Sequence, residues 1–515
     1  MIYKLKCLNK GVLLSQVIEK SDINFSLPCS GLGTCGKCRI KIIDGEISEI
    51  GEGEKRFLSD YEIKNGYRLA CFTKIYSDVT VEHCEEKTLK ILKNSSYEIK
   101  KIKPIIKAQE YAISIDIGTT TIVINLHKGD SISPLDTISD INNQIKFGAD
   151  VISRIDYSIS NTVDTIHKVT INQLNQMIKA LCHRTSIDNR QIKYAVVTGN
   201  TTMLHFFANI NPESIAFYPF TPKTLFGYTR ENNLGLAIAT DSKIYLSPCI
   251  SAYIGADLVC AVLVSDMLNK EECSLLVDIG TNGEMALYHN GGIKCCSTAA
   301  GPVFEGVGIE LGSSAIEGAI SSVYFNKRNN SIDYKTINDE KPIGICGTGV
   351  IDAVSVFLSQ GIIDDTGKIL KEGHNFSQHI IETNNQLAFR FDKSDIYITQ
   401  KDIRQIQLAK GAIAGGINAL LIESGASAQD IDRFYICGGF GSYINLDSAE
   451  NIGLIPKGIK SRTEILGNAA LNGASSIILD NDNIKECIRI VEKSHYIELS
   501  AGTVFADEYI SSMSF

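Results

Sequence analysis

Two sets of residues in this sequence could do chemistry. Cys29, Cys35 and Cys38 lie within CSGLGTCGKC (29–38), and Cys71 follows in YRLACF. Three thiolates on one tight loop with one remote partner is an arrangement that holds a 2Fe-2S cluster. Gly31, Gly33 and Gly36 let the backbone curl closely round such a cluster and aim N–H groups at its sulfurs. A structural zinc site also uses four cysteines, but usually as two close pairs, and only one close pair is present here. The first gap is one residue longer than the plant-type spacing.

The second set is a phrase written twice, AISIDIGTTT at 112–121 and LLVDIGTNGE at 275–284. An apolar run ending in Asp, then glycine, then hydroxyl residues resembles a phosphate loop. A P-loop, however, closes on Gly-Lys-Ser/Thr and enters a helix at once. Here the chain continues as TIVINLH and as EMALYHNGGIKCCS, which read as returning strands. Each copy is therefore expected to be a β-hairpin with a Gly-Thr tip and an Asp at the end of its first strand. Two facing tips would clamp a polyphosphate. Thr119, Thr120, Thr121, Thr281 and Asn282 supply hydroxyl, amide and backbone groups, and Gly118 and Gly280 allow close approach. Asp116 and Asp278 would hold Mg²⁺ through water. Two further glycine turns add weaker signals. FYICGGFGSYIN (434–445) sets Gly438, Gly439 and Gly441 after a strand, where an adenosine could lie against bare backbone. GICGTGVID (344–352) places Gly347 at the opening of a helix. Asp257 and Glu284 are single acids that could orient a water, or be a cap and an exposed charge.

The elements that must position these groups follow from composition and periodicity. The chain has 515 residues, too many for one core, and is 44% hydrophobic and 21% charged with a net charge of −9. That charge argues against a nucleic-acid partner. No leader-like start and no spanning apolar run is seen, so a cytoplasmic protein with no membrane partner is expected. In a reducing compartment most of the fifteen cysteines read as packed thiols; Cys7 and Cys84, for instance, fall outside the cluster pattern. Residues 1–88 form a small β-rich module with strands in CRIKII and VTVEH. Residues 89–110 read as a lysine-rich, solvated linker. From Tyr111 an α/β pattern predicts strands at 111–117, 122–127, 192–198, 243–248, 273–279, 284–289 and 433–437. Helices are predicted at 161–184, 254–268, 349–359, 403–424 and 464–479.

The turns at 116, 278 and 437, in that order, resemble the phosphate-1, phosphate-2 and adenosine motifs of the actin, sugar-kinase and heat-shock ATPase superfamily. VVTGNTTM (196–203) resembles the segment that connects its halves, and the five-residue cysteine gap resembles bacterial and adrenal-type ferredoxins. The whole pattern of ferredoxin, linker and ATPase, with FGADVISRI (147–155), STAAGPVFEG (297–306) and GTGVIDAV (347–354), looks like the reductive activators of corrinoid proteins. That resemblance implies a multidomain α/β architecture. It comprises a β-grasp ferredoxin (1–88), a linker (89–110) and a duplicated ribonuclease-H-like, actin-like ATPase in two halves (111–270 and 271–515). It further implies a 2Fe-2S cluster, ATP and Mg²⁺ as cofactors, and ATP-dependent one-electron reduction of a corrinoid protein's Co(II) to Co(I). An external electron donor is implied, and assembly as a homodimer is left open. Three other functions remain in play: an activator of 2-hydroxyacyl-CoA dehydratases, a small-molecule kinase with a redox-sensing ferredoxin, and a scaffold that uses ATP only to change shape. STAAGPVFEG could meet the corrinoid or be a tight structural loop.

Overall fold

The computed structural model describes the chain except residues 1, 8, 19–20, 22–24, 26–32, 34–37, 59, 83–102 and 442. The chain divides into two compact units, residues 1–87 with 141–170, and residues 88–140 with 171–515. The stretch 141–170 thus groups with the amino-terminal module and not with its sequence neighbours.

In the smaller unit, a four-stranded sheet runs in the order Ile2–Leu5, Val79–Glu82, Arg39–Asp44 and Tyr67–Leu69, beside a two-stranded ribbon of Val12–Leu13 and Lys74–Ile75. Leu5, Ile40, Leu69 and Val81 alternate inward and share a core with Leu14, Ile18 and Leu58. Glu54 is buried beneath this sheet, where the Arg68 guanidinium grips its carboxylate and Leu69 N–H and Thr73 donate to it. FGADVISRI folds as a turn and a capped helix: Asp150 caps Val151–Ser160, and the buried Arg154 donates to the Gly148 carbonyl at 2.9 Å.

The larger unit holds two six-stranded sheets of matched design. The first runs Tyr228–Glu231, Lys243–Leu246, Ile192–Gly199, Tyr111–Ile117, Thr121–Lys128 and Asp136–Ile141. The second runs Thr463–Gly467, Arg433–Cys437, Ser274–Ile279, Gly283–His289, Gly292–Thr298 and Ser494–Tyr496. In each, the strand that ends in Asp-Ile turns back as an antiparallel hairpin and has a parallel neighbour on its other side. Both hairpins are the returning strands expected from the sequence. Between the sheets lies a core built from the helices Ala256–Ser265 and Ala469–Leu479, with Val196, Tyr245, Leu276 and Tyr435 from the strands. The two helices pack backbone to backbone: a Cβ on Gly473 would fall 2.4 Å from the Cys260 carbonyl oxygen. A larger core lies on the other face of the second sheet, under Gly347–Ser359 and Gln400–Ser424.

Three expectations need correction. Residues 464–468 are not helical: Thr463–Gly467 is an edge strand, and the helix starts after Asn468, whose side chain accepts from Leu471 N–H. The expected helix 254–268 is two, Ala256–Ser265 and Met267–Lys270, divided at Asp266 with φ 57°. The described end of the expected linker, 103–110, is packed and not solvated. Ile106 is buried, Ile105 N–H donates to the Ile478 carbonyl, and Lys103 pairs with Asp482.

Candidate active site and cluster module

Each Asp of the doubled phrase stands at the end of a strand, beside the last residues of its parallel neighbour. Asp116 lies level with Thr198 and Asp278 with Cys437, whose thiol is 3.5 Å from the carboxylate. The next residue in both neighbours is a glycine held at positive φ, Gly199 (147°) and Gly438 (89°). A Cβ on Gly199 would meet the Ile117 carbonyl oxygen at 2.5 Å, and one on Gly438 would meet that of Ile279 at 2.6 Å. The duplication is therefore exact at the residue level: Asp, Ile and a supporting glycine recur in the same relation.

The two sheets bring the hairpin tips together. Thr120 Oγ1 and Thr281 Oγ1 are 3.1 Å apart. Glu305, in the 3₁₀ turn Pro302–Glu305, spans them, accepting from Thr120 at 3.1 Å and from Thr281 at 2.8 Å. Each threonine has one hydroxyl proton, so when both are given to Glu305 the Thr120–Thr281 contact carries none; burial raises the Glu305 pKa and the two threonine hydrogen bonds oppose that rise. At the first tip, Asn200 caps the helix Thr201–Phe207 and donates to Thr119 at 3.0 Å. The tip turns close on their own backbone, Gly118 N–H to Thr121 O at 2.9 Å and Gly280 N–H to Asn282 O at 3.0 Å.

Beneath the tips four carboxyls converge. Burial pushes Asp116 up to about 8, helped by the charges of Asp257 and Asp278 and opposed by a hydrogen bond from Asn468. Asp257, in the first turn of Ala256–Ser265, is raised to about 7 by burial and by Asp278, against the Leu258 N–H that it accepts. Burial raises Asp278 to about 6. Glu284, directly across the second hairpin from Asp278, is buried and raised further by the other three, and it shares a hydrogen bond with Asp257. Such mutual repulsion is what a divalent cation relieves, and hard carboxylate oxygens suit Mg²⁺. Among the described residues no three His, Cys, Asp or Glu side chains are grouped closely enough to hold a metal ion.

The supports cross between halves. Asn468 begins a helix of the second half and bonds Asp116 of the first; Asp257 begins a helix of the first half and faces Asp278 and Glu284 of the second.

Of the remaining predicted residues, Gly438, Gly439 and Gly441 form the short helix Gly438–Gly441 instead of an open turn, with Phe440 stacked on Phe304 at 4.9 Å. Gly347 is the first residue of Gly347–Ser359, as expected. In the smaller unit Cys38 and Cys71 are buried with their sulfurs 3.2 Å apart. That is too long for a disulfide of about 2.05 Å and close enough for both sulfurs to reach one metal ion after a small adjustment. Gly33 at φ 73° lies against the Phe72 ring, where a Cβ would clash at 2.4 Å. Cys29, Cys35, Gly31, Gly36 and Cys84 lie outside the described residues. Cys7 donates to the Asn9 carbonyl. No described helix is long and apolar enough to cross a membrane.

Comparison with known proteins divides the chain into three consecutive stretches. Residues 4–76 match the family model of the 2Fe-2S iron-sulfur cluster binding domain, 111–270 that of the RACo middle region, and 272–515 that of the C-terminal ASKHA domain of RACo. A solved reductive activator for a corrinoid, iron-sulfur protein superposes with a TM-score of 0.72 at 29% identity, covering 100% of this chain and 98% of its own. The chain belongs to the reductive activators of corrinoid proteins. The corrinoid activation enzyme RamQ of Eubacterium limosum is 28% identical over 98% of this activator and 96% of its own length. The Co(II) methylated amine-specific corrinoid protein reductase of Methanosarcina barkeri is 26% identical over 79% and 77%. The matches thus cover a cluster-binding module and an ASKHA domain.

Glu305, Asn200 and Asn468 were not singled out from the sequence. Glu305 lies inside STAAGPVFEG, and the two asparagines stand just ahead of helices, where a cap signal was available.

Proposed function

We propose that this activator returns the Co(II) of a corrinoid protein to Co(I), one electron at a time, and drives the step with MgATP held between the two hairpin tips. One observation carries the reading: a cluster-binding module and a pair of facing Asp-tipped hairpins share one chain, matched end to end by proteins named for corrinoid activation.

Held by Cys29, Cys35, Cys38 and Cys71, a 2Fe-2S cluster supplies a one-electron donor. The other tasks belong to the protein's own groups. Asp116 and Asp278 would hold hydrated Mg²⁺, whose charge would offset the cost of keeping their buried carboxylates ionised. Hydroxyls and backbone N–H groups of Thr119, Thr120, Thr121, Thr281 and Asn282 take phosphate oxygens, with Gly118 and Gly280 leaving room. Gly438, Gly439, Gly441 and Gly347 line the nucleoside end. Asp257 and Glu284, sharing a hydrogen bond at an elevated pKa, are placed to accept a proton from the attacking water.

The energetic case for ATP is simple. For one electron, 59 mV is a tenfold change in equilibrium, so an uphill gap of about 0.2 V costs about 5 kcal/mol. A nucleotide-driven change of state can supply that much. A corrinoid protein is one partner and an electron donor that recharges the cluster is a second; a pair of identical subunits is compatible with both.

The test is anaerobic mixing with a Co(II) corrinoid protein, MgATP and a reductant. The Co(I) absorption should appear, should vanish with Cys29→Ala, and should lose its ATP dependence with Asp278→Asn. Phosphorylation of a small acceptor while the cobalt stays unchanged would establish a kinase instead.

A further inference from the structure

The turn Pro302–Glu305 touches every element assigned to the nucleotide. Its last residue, Glu305, bonds both phosphate-loop threonines, 185 and 24 residues away in sequence. Its neighbour Phe304 is buried and stacks on Phe440 of the short helix Gly438–Gly441, ring centroids 4.9 Å apart with a 17° tilt. The helix Gly347–Ser359 packs against the same turn. Downstream, the chain folds back on itself through Gly306 and Gly312 and reaches Glu310, whose N–H donates to Asp402 at 2.8 Å and whose carboxylate accepts from Tyr397 and Asn384.

A carboxyl group spanning two hydroxyls is a chemical likeness of a phosphate taking the same two hydroxyls. Both present oxygens of similar reach, and the donors cannot serve both at once: each threonine has one O–H. A phosphoryl oxygen seated between Thr120 and Thr281 therefore has to displace Glu305. Glu305 and Phe304 are adjacent in one short turn, so a displaced carboxyl bears on the segment that also carries the stacked ring.

We propose that Glu305 is a latch occupying a phosphate seat between the two hairpin tips, and that MgATP lifts it, passing the nucleotide's presence through Pro302–Glu305 to residues 307–313. The proposal rests on the reading of the tips as an ATP site, and it goes beyond that reading in giving this chain its own internal competitor for the nucleotide. A ligand that must first displace such an occupant binds more weakly by the fraction of molecules in which the seat is free.

The experiment is equilibrium binding of MgATP and of AMP to the full-length protein, with amide hydrogen exchange over 302–313, for wild type, Glu305→Ala and Glu305→Asp. Ala removes the latch, and Asp is too short to span both hydroxyls, so each should bind MgATP at least about fivefold more tightly. AMP, with no phosphate to reach the seat, should bind all three proteins equally. In wild type, MgATP should speed exchange at 307–313; in Glu305→Ala these amides should already exchange fast and respond little. If wild type binds no nucleotide, the ATP reading fails and takes the latch with it. If wild type binds MgATP but neither variant binds it more tightly, or if AMP gains equally, the latch alone is overturned.

Discussion

At the scale of single residues, Asp278 shows how this site trades stability for chemistry. It is held away from water with three other carboxyls nearby, and its pKa rises from 3.8 to about 6. Between those values the folded chain keeps a proton that the unfolded chain has released, so stability falls as pH rises through that window and stays lowered above it. Asp278→Asn removes the term. The variant should match wild type near pH 3.5 and exceed it by roughly 1–3 kcal/mol at pH 8 in urea unfolding, while losing the stabilisation that MgATP gives wild type. The aspartates were legible because a whole phrase repeats round them. Glu305 was silent because its meaning lies in partners far along the chain, and a lone acid in a run of small residues carries no period. Asn468 was hidden in an apolar run, where its role as a cap and as the partner of Asp116 depends on a strand that begins 357 positions earlier, at Tyr111.

At the scale of elements, hairpins and parallel strands were readable from β-branched runs bounded by glycine turns, and every predicted strand from 111 onward is present. The edge strand Thr463–Gly467 was read as helix because EIL runs into AAL with no interruption but Asn468. The helix Gln400–Ser424 begins three residues before its expected start, since Thr399 and Asp402 form a capping box ahead of the apolar period. Two small sheets, Ala319–Asn326 with Ser331–Thr336 and Gly344–Ile345, and Ile380–Thr383 with Gln386–Arg390 and Tyr397–Thr399, went unread; their strands are short and their burial does not alternate cleanly. The short helix Gly438–Gly441 offers a sharp contrast. Gly438→Ala should cost about 2–4 kcal/mol in thermal or urea unfolding, because φ is 89° and the new methyl meets Asp278 Oδ1 at 2.4 Å. At Gly439 nothing lies within 4 Å, so Gly439→Ala should change stability by less than about 0.5 kcal/mol. If nucleoside lies there, that same methyl should weaken MgATP binding roughly tenfold by titration calorimetry.

At the scale of the whole molecule, each compact unit has its own apolar core. Two unfolding transitions are therefore expected in scanning calorimetry. MgATP at a hundred times its Kd should raise only the transition of the larger unit, by about 2.7 kcal/mol of added stability. Cys38→Ser should lower only the other. A single transition shifted by both treatments would mean that the units melt as one. This division was only partly legible: the cysteine loop marks the smaller unit, but nothing in FGADVISRI announces that residues 141–170 join it.

The crossed helices carry a mechanical consequence. Ala256–Ser265 and Ala469–Leu479 touch backbone to backbone at Cys260 and Gly473; Asp257 in the first turn of one faces Asp278, and Asn468 at the cap of the other bonds Asp116. As with two scissor blades riveted at that contact, a rotation of one helix against the other would change the surroundings of Asp116 and of Asp257 together.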